Sequence, residues 1–218
     1  MTAYALAVLS GCLTWALMAR GRRVGAARRH RMMARHPMPT FVFADLVGYT
    51  TLTDRCGDEA AVRVAREFRR VMSLLSREHG AWHVKSMGDG AMIWVPDADQ
   101  AVALAERTLI EVGARPDLLP VRVGAHTGPA VMCEDDWYGG AVNVAARLAG
   151  AARPNEALVS DATHAAAGAR ARRALRHRDV VGLRGMGQPI GVWPLAADRH
   201  EAPGRHDRAL LALVHGTR

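Results

Sequence analysis

Two short stretches decide how this chain is read: Phe41-Val-Phe-Ala-Asp-Leu-Val-Gly-Tyr-Thr50 and, further along, Lys85-Ser-Met-Gly-Asp-Gly90. In each, an apolar, strand-forming run is followed by an aspartate, Asp45 in the first and Asp89 in the second. If the two strands pair in one sheet, both carboxylates reach the same rim, about 4 to 6 Å apart, and offer a site to hard divalent cations. The first run leads into a glycine and a helix start, and the second turns back on a Gly-Asp-Gly hairpin. Both acidic groups then stand on rigid backbone near exposed amides, which points to phosphate chemistry.

Lys85 sharpens this reading. It is the sole lysine in a chain whose Lys and Arg number 29. Four residues before a candidate metal carboxylate, it marks a position where a compact ammonium fits and a planar guanidinium fork does not.

Working outward, Thr40 to Leu46 is read as the first strand and Asp58 to His79 as a helix, with apolar positions at Ala61, Val64, Phe68, Val71 or Met72, and Leu75. Trp82 to Met87 and Ala91 to Val95 flank the Gly-Asp-Gly turn, and Asp97 is placed to cap a helix running to about Val112. Pro120 to Thr127 and Ala130 to Cys133 read as a further strand pair, Val142 to Ala152 as a short helix, and Ala157 to Ser160 and Gly191 to Leu195 as late strands. The order predicts an α+β fold, helices on a mostly antiparallel sheet.

The length of 218 residues leaves room for one domain of roughly 150 to 180 residues with extensions at both ends. The formal net charge of +8 is local: seven arginines and two histidines fall between Arg20 and His36, and the remainder is close to neutral. A nucleic-acid groove on the folded domain is not expected. Cys12, Cys56 and Cys133 are odd in number and widely spaced, so reduced thiols and no zinc site are expected.

Thr2 to Ala19 carries no charge and, as a helix, would span about 27 Å, just enough to cross a bilayer. The arginines that follow would keep the carboxyl side cytoplasmic and attract anionic lipid headgroups. A cleaved signal peptide, a lipoprotein box at Leu9-Ser-Gly-Cys12 and a surface-lying helix are the competing readings. The expected division is an anchor over 1–19, a basic juxtamembrane linker over 20–38, a catalytic domain over 39–197 and a polar tail over 198–218, with a possible short helix at Ala209 to Val214.

With these pieces in order, the chain resembles the class III nucleotidyl cyclase family from about Thr40 to Leu195. Phe43-Ala-Asp-Leu-Val-Gly-Tyr-Thr50 and Lys85-Ser-Met-Gly-Asp-Gly90 look like its two metal motifs. Arg122-Val-Gly-Ala-His-Thr-Gly128 is similar to the strand leading to its dimerisation region. Asp136-Trp-Tyr-Gly-Gly-Ala-Val-Asn-Val-Ala-Ala-Arg147 is similar to the motif that carries base and transition-state residues, and Leu183-Arg-Gly-Met-Gly187 to a late phosphate-contacting loop.

The resemblance implies a ferredoxin-like βαββαβ core and a membrane-anchored bacterial adenylate cyclase. Asp45 and Asp89 would hold two Mg²⁺ (or Mn²⁺) ions per site. Lys85 and Asp136 would read adenine, Asp136 being placed by counting back three from Gly139. Asn143 would orient the ribose, Arg147 would meet charge on the α-phosphoryl group, and Arg184 would contact the outer phosphates. ATP is the implied substrate, and a homodimer sharing its sites between subunits is the implied assembly. GTP as substrate and a nucleotide-binding module without turnover are the alternatives.

Overall fold

The alternation in Thr40–Leu46 organises the sheet. The computed structural model describes residues 35, 36 and 38–196. In it Thr40–Leu46 forms strand β1, and Val42, Ala44 and Leu46 point into the main core. The expected anchor over 1–19, nearly all of the basic linker, the tail over 198–218 and the short helix at 209–214 lie outside the described residues. Among the described residues, no helix is long and apolar enough to cross a membrane.

Helix α1 spans Tyr49–Glu78, earlier than the periodicity predicts. Its first turns follow Gly48 and break at Gly57, whose φ of 77° and ψ of 170° are non-helical. Glycine takes that conformation without steric cost, so the apolar stripe read as a helix start at Asp58 is a restart. Strand β2 (Trp82–Met87) and β3 (Gly90–Val95) form the expected hairpin. Helix α2 (Ala98–Gly113) begins at Asp97, whose carboxylate accepts from the Gln100 amide at 2.9 Å, satisfying one of the orphan donors of the first turn. Strand β4 (Val121–Thr127) completes the core, in the order β2-β3-β1-β4 with every pairing antiparallel. This is the ferredoxin-like arrangement.

One expected pairing is corrected. The strand at Pro120 to Thr127 does not pair with the segment at Ala130 to Cys133: β4 is flanked by β1 and by β7 (Glu156–Ser160), while β5 (Val131–Cys133) pairs with β6 (Asp136–Tyr138) in a separate two-stranded arm. Both edges of β4 are taken by longer strands, so the short segment finds its partner across the turn at Glu134 and Asp135.

Beyond the arm come helix α3 (Gly140–Ala151), strand β7 (Glu156–Ser160), helices α4 (Asp161–Ala166) and α5 (Ala169–Ala174), and strands β8 (Asp179–Val181) and β9 (Ile190–Ala196). The seven-stranded sheet runs β2-β3-β1-β4-β7-β9-β8, and only β4 and β7 are parallel neighbours.

Helices α1 and α2 cover one sheet face through Val64, Phe68, Met72, Leu75, Leu104 and Leu109, all buried, each contributing about 1.5 to 3 kcal/mol of hydrophobic transfer. Helix α3 packs on the opposite face, where Val144 and Leu148 join Leu158, Leu183 and Val192 in a second core. That helix lies on bare backbone: a Cβ added at Gly124 of β4 would sit 2.2 Å from the Ala149 nitrogen and 2.3 Å from the Ala145 oxygen.

Because neither contact is a movable side-chain end, Gly124→Ala should push α3 off the sheet. The expected loss is about 1 to 3 kcal/mol or more of unfolding free energy in urea, whereas the exposed Gly150→Ala should be close to neutral or stabilising.

Candidate active site

The face of β1 opposite the core carries Phe41, Phe43 and Asp45, as the period of two requires. Asp45 stands in register with Gly90 on β3 and with Arg122 on β4. The amide of Leu46 donates to the carbonyl of Asp89 at 3.1 Å, which ties the β2–β3 turn to the end of β1. A Cβ at Gly90 would come within 3.4 Å of Asp45 Oδ1. The first pair of candidate residues is therefore brought to one rim.

Desolvation, and then the charge of Asp45, push the Asp89 carboxyl above its ordinary range; a hydrogen bond from its own backbone and the Arg122 charge offset this in part. A divalent cation relieves both effects at once. Among the described residues no cluster of three or more His, Cys, Asp or Glu side chains forms. Two hard carboxylates, one near the end of β1 and one in the β2–β3 turn, nonetheless fit Mg²⁺ or Mn²⁺, which take their other ligands from water and phosphate.

Sequence reasoning left Arg122 without a role, yet it dominates this corner. Its Nε and Nη2 donate to Asp45 Oδ2 at 2.9 and 2.6 Å, and its Nη1 reaches the Gly150 carbonyl at 3.3 Å. The only signal was the cross-strand register of β1 and β4, invisible until the pairing is known.

A second group forms between β2 and the arm. Lys85 Nζ donates to Asp136 Oδ2 at 2.5 Å. The adjacent aspartates differ in backbone: Glu134 and Asp135 take φ of 51° and 65° in the turn, and Asp136 opens β6. Desolvation pushes the Asp136 carboxyl up, but the Lys85 ammonium, the Trp137 amide and Tyr138 outweigh it and hold it below the ordinary carboxylate range. Trp137, next to Asp136 on β6, joins an aromatic cluster, stacked on Trp94 at 6.4 Å and edge-on to Phe41 at 5.5 Å.

The third group sits on α3. Asn143 is exposed, and Arg147, one turn later, donates through Nη1 to the carbonyl of Gly185 at 3.2 Å. Gly185 turns at φ 73° directly beside the guanidinium. Its neighbour Arg184 is exposed, so the loop after β8 brings Arg184 next to the residue that packs on Arg147. The hydrogen bond from Arg122 Nη1 to the Gly150 carbonyl links the acidic rim to helix α3. His126, read from sequence as a satisfied strand residue, shares a 2.8 Å hydrogen bond with Ser160.

The sequence and the fold match known proteins. Residues 32–195 match the adenylate and guanylate cyclase catalytic domain. The chain is 35% identical over 160 residues to an adenylate cyclase of Streptomyces griseus, covering 73% of this chain and 38% of that protein. It is likewise 35% identical over 133 residues to a pH-sensitive adenylate cyclase of Mycobacterium tuberculosis (strain CDC 1551 / Oshkosh), covering 59% of this chain and 32% of that one. The chain thus spans between 32% and 38% of the length of these curated relatives. Among solved structures, an adenylate/guanylate cyclase/hydrolase from Silicibacter pomeroyi superimposes with a TM-score of 0.64 at 26% identity, covering 74% of this chain and 97% of that one. A Trypanosoma brucei adenylate cyclase in its monomeric state gives 0.65 at 22% identity, covering 76% and 92%. The chain belongs to the class III nucleotidyl cyclase family.

The raised Asp89 pKa has a definite sign. The folded protein holds that proton more tightly than the unfolded chain, so the metal-free protein loses stability as pH rises through the Asp89 range. Replacing Asp89 by Asn removes the repulsion and keeps the backbone carbonyl that Leu46 uses. Asp89→Asn should melt no lower than the parent at pH 7 without metal, and should lose any melting-temperature increase that millimolar Mn²⁺ confers on the parent.

Proposed function

We propose that the chain is an adenylate cyclase that converts ATP to cyclic AMP and pyrophosphate. The observation that carries this reading is the Lys85–Asp136 pair. An ammonium donates and a carboxylate accepts, which matches adenine N1 and its exocyclic amino group; guanine presents the reverse polarity at those atoms. The adenylate cyclases among its relatives support the same choice.

Asn143, on the exposed face of α3, orients the ribose, and Arg147 places its guanidinium against charge developing on the α-phosphoryl oxygens. Arg184 contributes a forked cation for the outer phosphates. The ribose 3′-oxygen attacks the α-phosphorus in line, the bond to the bridging oxygen of the β-phosphate breaks, and the hydroxyl proton leaves to solvent. Asp45 and Asp89 are the residues that would hold Mg²⁺ or Mn²⁺, ions that acidify the 3′-hydroxyl and neutralise the triphosphate when bound. Arg122 holds the Asp45 side chain at the rim in their absence.

The carboxylate rim and the α3 residues form separate groups within one chain, which supports a homodimer in which each site takes Asp45 and Asp89 from one subunit and Lys85, Asp136, Asn143 and Arg147 from the other. Localisation at a membrane, with anionic lipids as a further partner, belongs to the same proposal. It is supported by the uncharged run from Thr2 to Ala19 and the arginines that follow it.

Shared sites are tested by complementation. Asp45→Ala and Arg147→Ala should each lower cyclic AMP formation by about 10²-fold or more, and mixing the two inactive proteins should restore part of the activity. Mixed dimers that form and stay silent would overturn the shared geometry. Turnover surviving in Asp45→Ala would overturn the metal assignment, and a competition assay with equal ATP and GTP decides the purine.

A further inference from the structure

Between helix α1 and the edge strand β2 lies an open recess of 380 Å³ lined by Arg69, Ser73, His83 and Ser86. Each of these side chains can donate an N–H or O–H, and none is a carboxylate. Arg69 and Ser73 are one helical turn apart on α1, while His83 and Ser86 come from β2. The arginines nearby are differently employed: Arg70 and Arg115 both pair with Glu67, at 2.7 and 2.6 Å. Arg69 makes no ion pair among the described residues and lines the recess instead.

His83 joins the two hydroxyls. Its Nδ1 lies 3.2 Å from Ser73 Oγ and its Nε2 2.9 Å from Ser86 Oγ. A neutral imidazole donates through one nitrogen and accepts through the other, so one serine must give its hydrogen to the ring and the second keeps its hydrogen for a ligand. Protonation makes both nitrogens donors and releases both hydroxyl hydrogens. Donors that can be freed in this way, beside an unpaired guanidinium, are the chemistry of an oxyanion site.

We propose that this recess binds a small oxyanion of the phosphate class, either the free ion or the terminal group of a small metabolite, through Arg69, Ser73, Ser86 and His83. The site does not depend on the cyclase reading and uses none of its residues. On the cyclase reading its place is regulatory, because Ser86 directly follows Lys85 on β2 and comes three residues before Asp89. An anion that pulls on the Ser86 hydroxyl acts on the strand that carries Lys85 and leads into the Asp89 turn.

Binding is coupled to a proton. Burial lowers the His83 pKa from its ordinary value and the Arg69 charge adds to this, against a hydrogen bond with the Lys85 backbone that raises it. The charged neighbours are Arg69 on α1 and Lys85 on its own strand; on β3 it faces Ile93. A bound anion offsets the Arg69 charge and favours imidazolium, so it should raise the His83 pKa and bind more tightly as pH falls.

The test follows the His83 ring resonance by NMR in the full chain, assigned with His83→Gln, through pH titrations in inorganic phosphate, in glycerol phosphate and in chloride at matched ionic strength. A saturable phosphate shift with a raised His83 pKa is expected, weakened about tenfold in affinity by Arg69→Ala, weakened also by Ser73→Ala and unchanged by Arg147→Ala. A response to inorganic phosphate identifies the free ion, and a response confined to glycerol phosphate identifies an esterified group; either upholds the site. The proposal is overturned by a silent His83, by an equal response to chloride, by an unchanged response in both Arg69→Ala and Ser73→Ala, or by a response lost in Arg147→Ala, which would place the phosphate at the nucleotide groups.

Discussion

The structure depends on β1 being paired on both sides. Because β3 and β4 both run antiparallel to it, Asp45 at its end faces Gly90 on one side and Arg122 on the other. Gly90 leaves the space that brings the Asp89 turn close, and Arg122 supplies the charge that lets a carboxylate stand on a sheet rim. A one-residue slip of β1 would turn Asp45 into the core and Leu46 outward. The alternation that buries Val42, Ala44 and Leu46 under α1 and α2 therefore also positions the acidic pair. Fold stability and site geometry are here one constraint.

The opposite face is built by close approach rather than by large side chains. Gly124 admits the backbone of α3 onto β4, and Ala145 and Ala149 are the residues that meet it. The consequence reaches the chemistry, since α3 carries Asn143 and Arg147 four residues apart on its outward side. Arg122 touches the same helix through the Gly150 carbonyl. The position of the α3 residues relative to the acidic rim is thus set by a helix resting on glycine and tethered by an arginine that also holds Asp45.

What the sequence could reveal tracks the physics of each element. Thr40–Leu46, Trp82–Met87 and the α2 start at Asp97 were legible because alternation, a Gly-Asp-Gly turn and a side-chain cap are local signals. The three-residue strands β6 and β8 were not, since so short a run has no period to read, and α4 and α5 are six-residue helices in which alanine is the apolar residue, with little apolar stripe. The partner of β5 was misassigned because pairing is a competition between edges, decided here by longer strands on both sides of β4. Within the site, the motif residues were visible one at a time. The contacts of Arg122 with Asp45, and of Lys85 with Asp136, needed the register and the turn between β5 and β6.

The resting molecule keeps its reactive charges in pairs. Asp45 rests on Arg122, Lys85 on Asp136, and Arg147 on the Gly185 carbonyl. Such pairs look like obstacles, since a nucleotide and its metals must take each partner away. Their exposure decides otherwise: the Lys85 and Asp136 side chains keep 40% and 23% of their accessible surface, and Arg122 and Asp45 keep 33% and 28%. Ion pairs that retain this much water contribute on the order of 1 kcal/mol or less, far below what a triphosphate with two metal ions returns. Binding on the cyclase reading is accordingly an exchange of partners at small cost. The pairs hold the side chains near their working positions, so little rotamer entropy is left to lose when the substrate arrives.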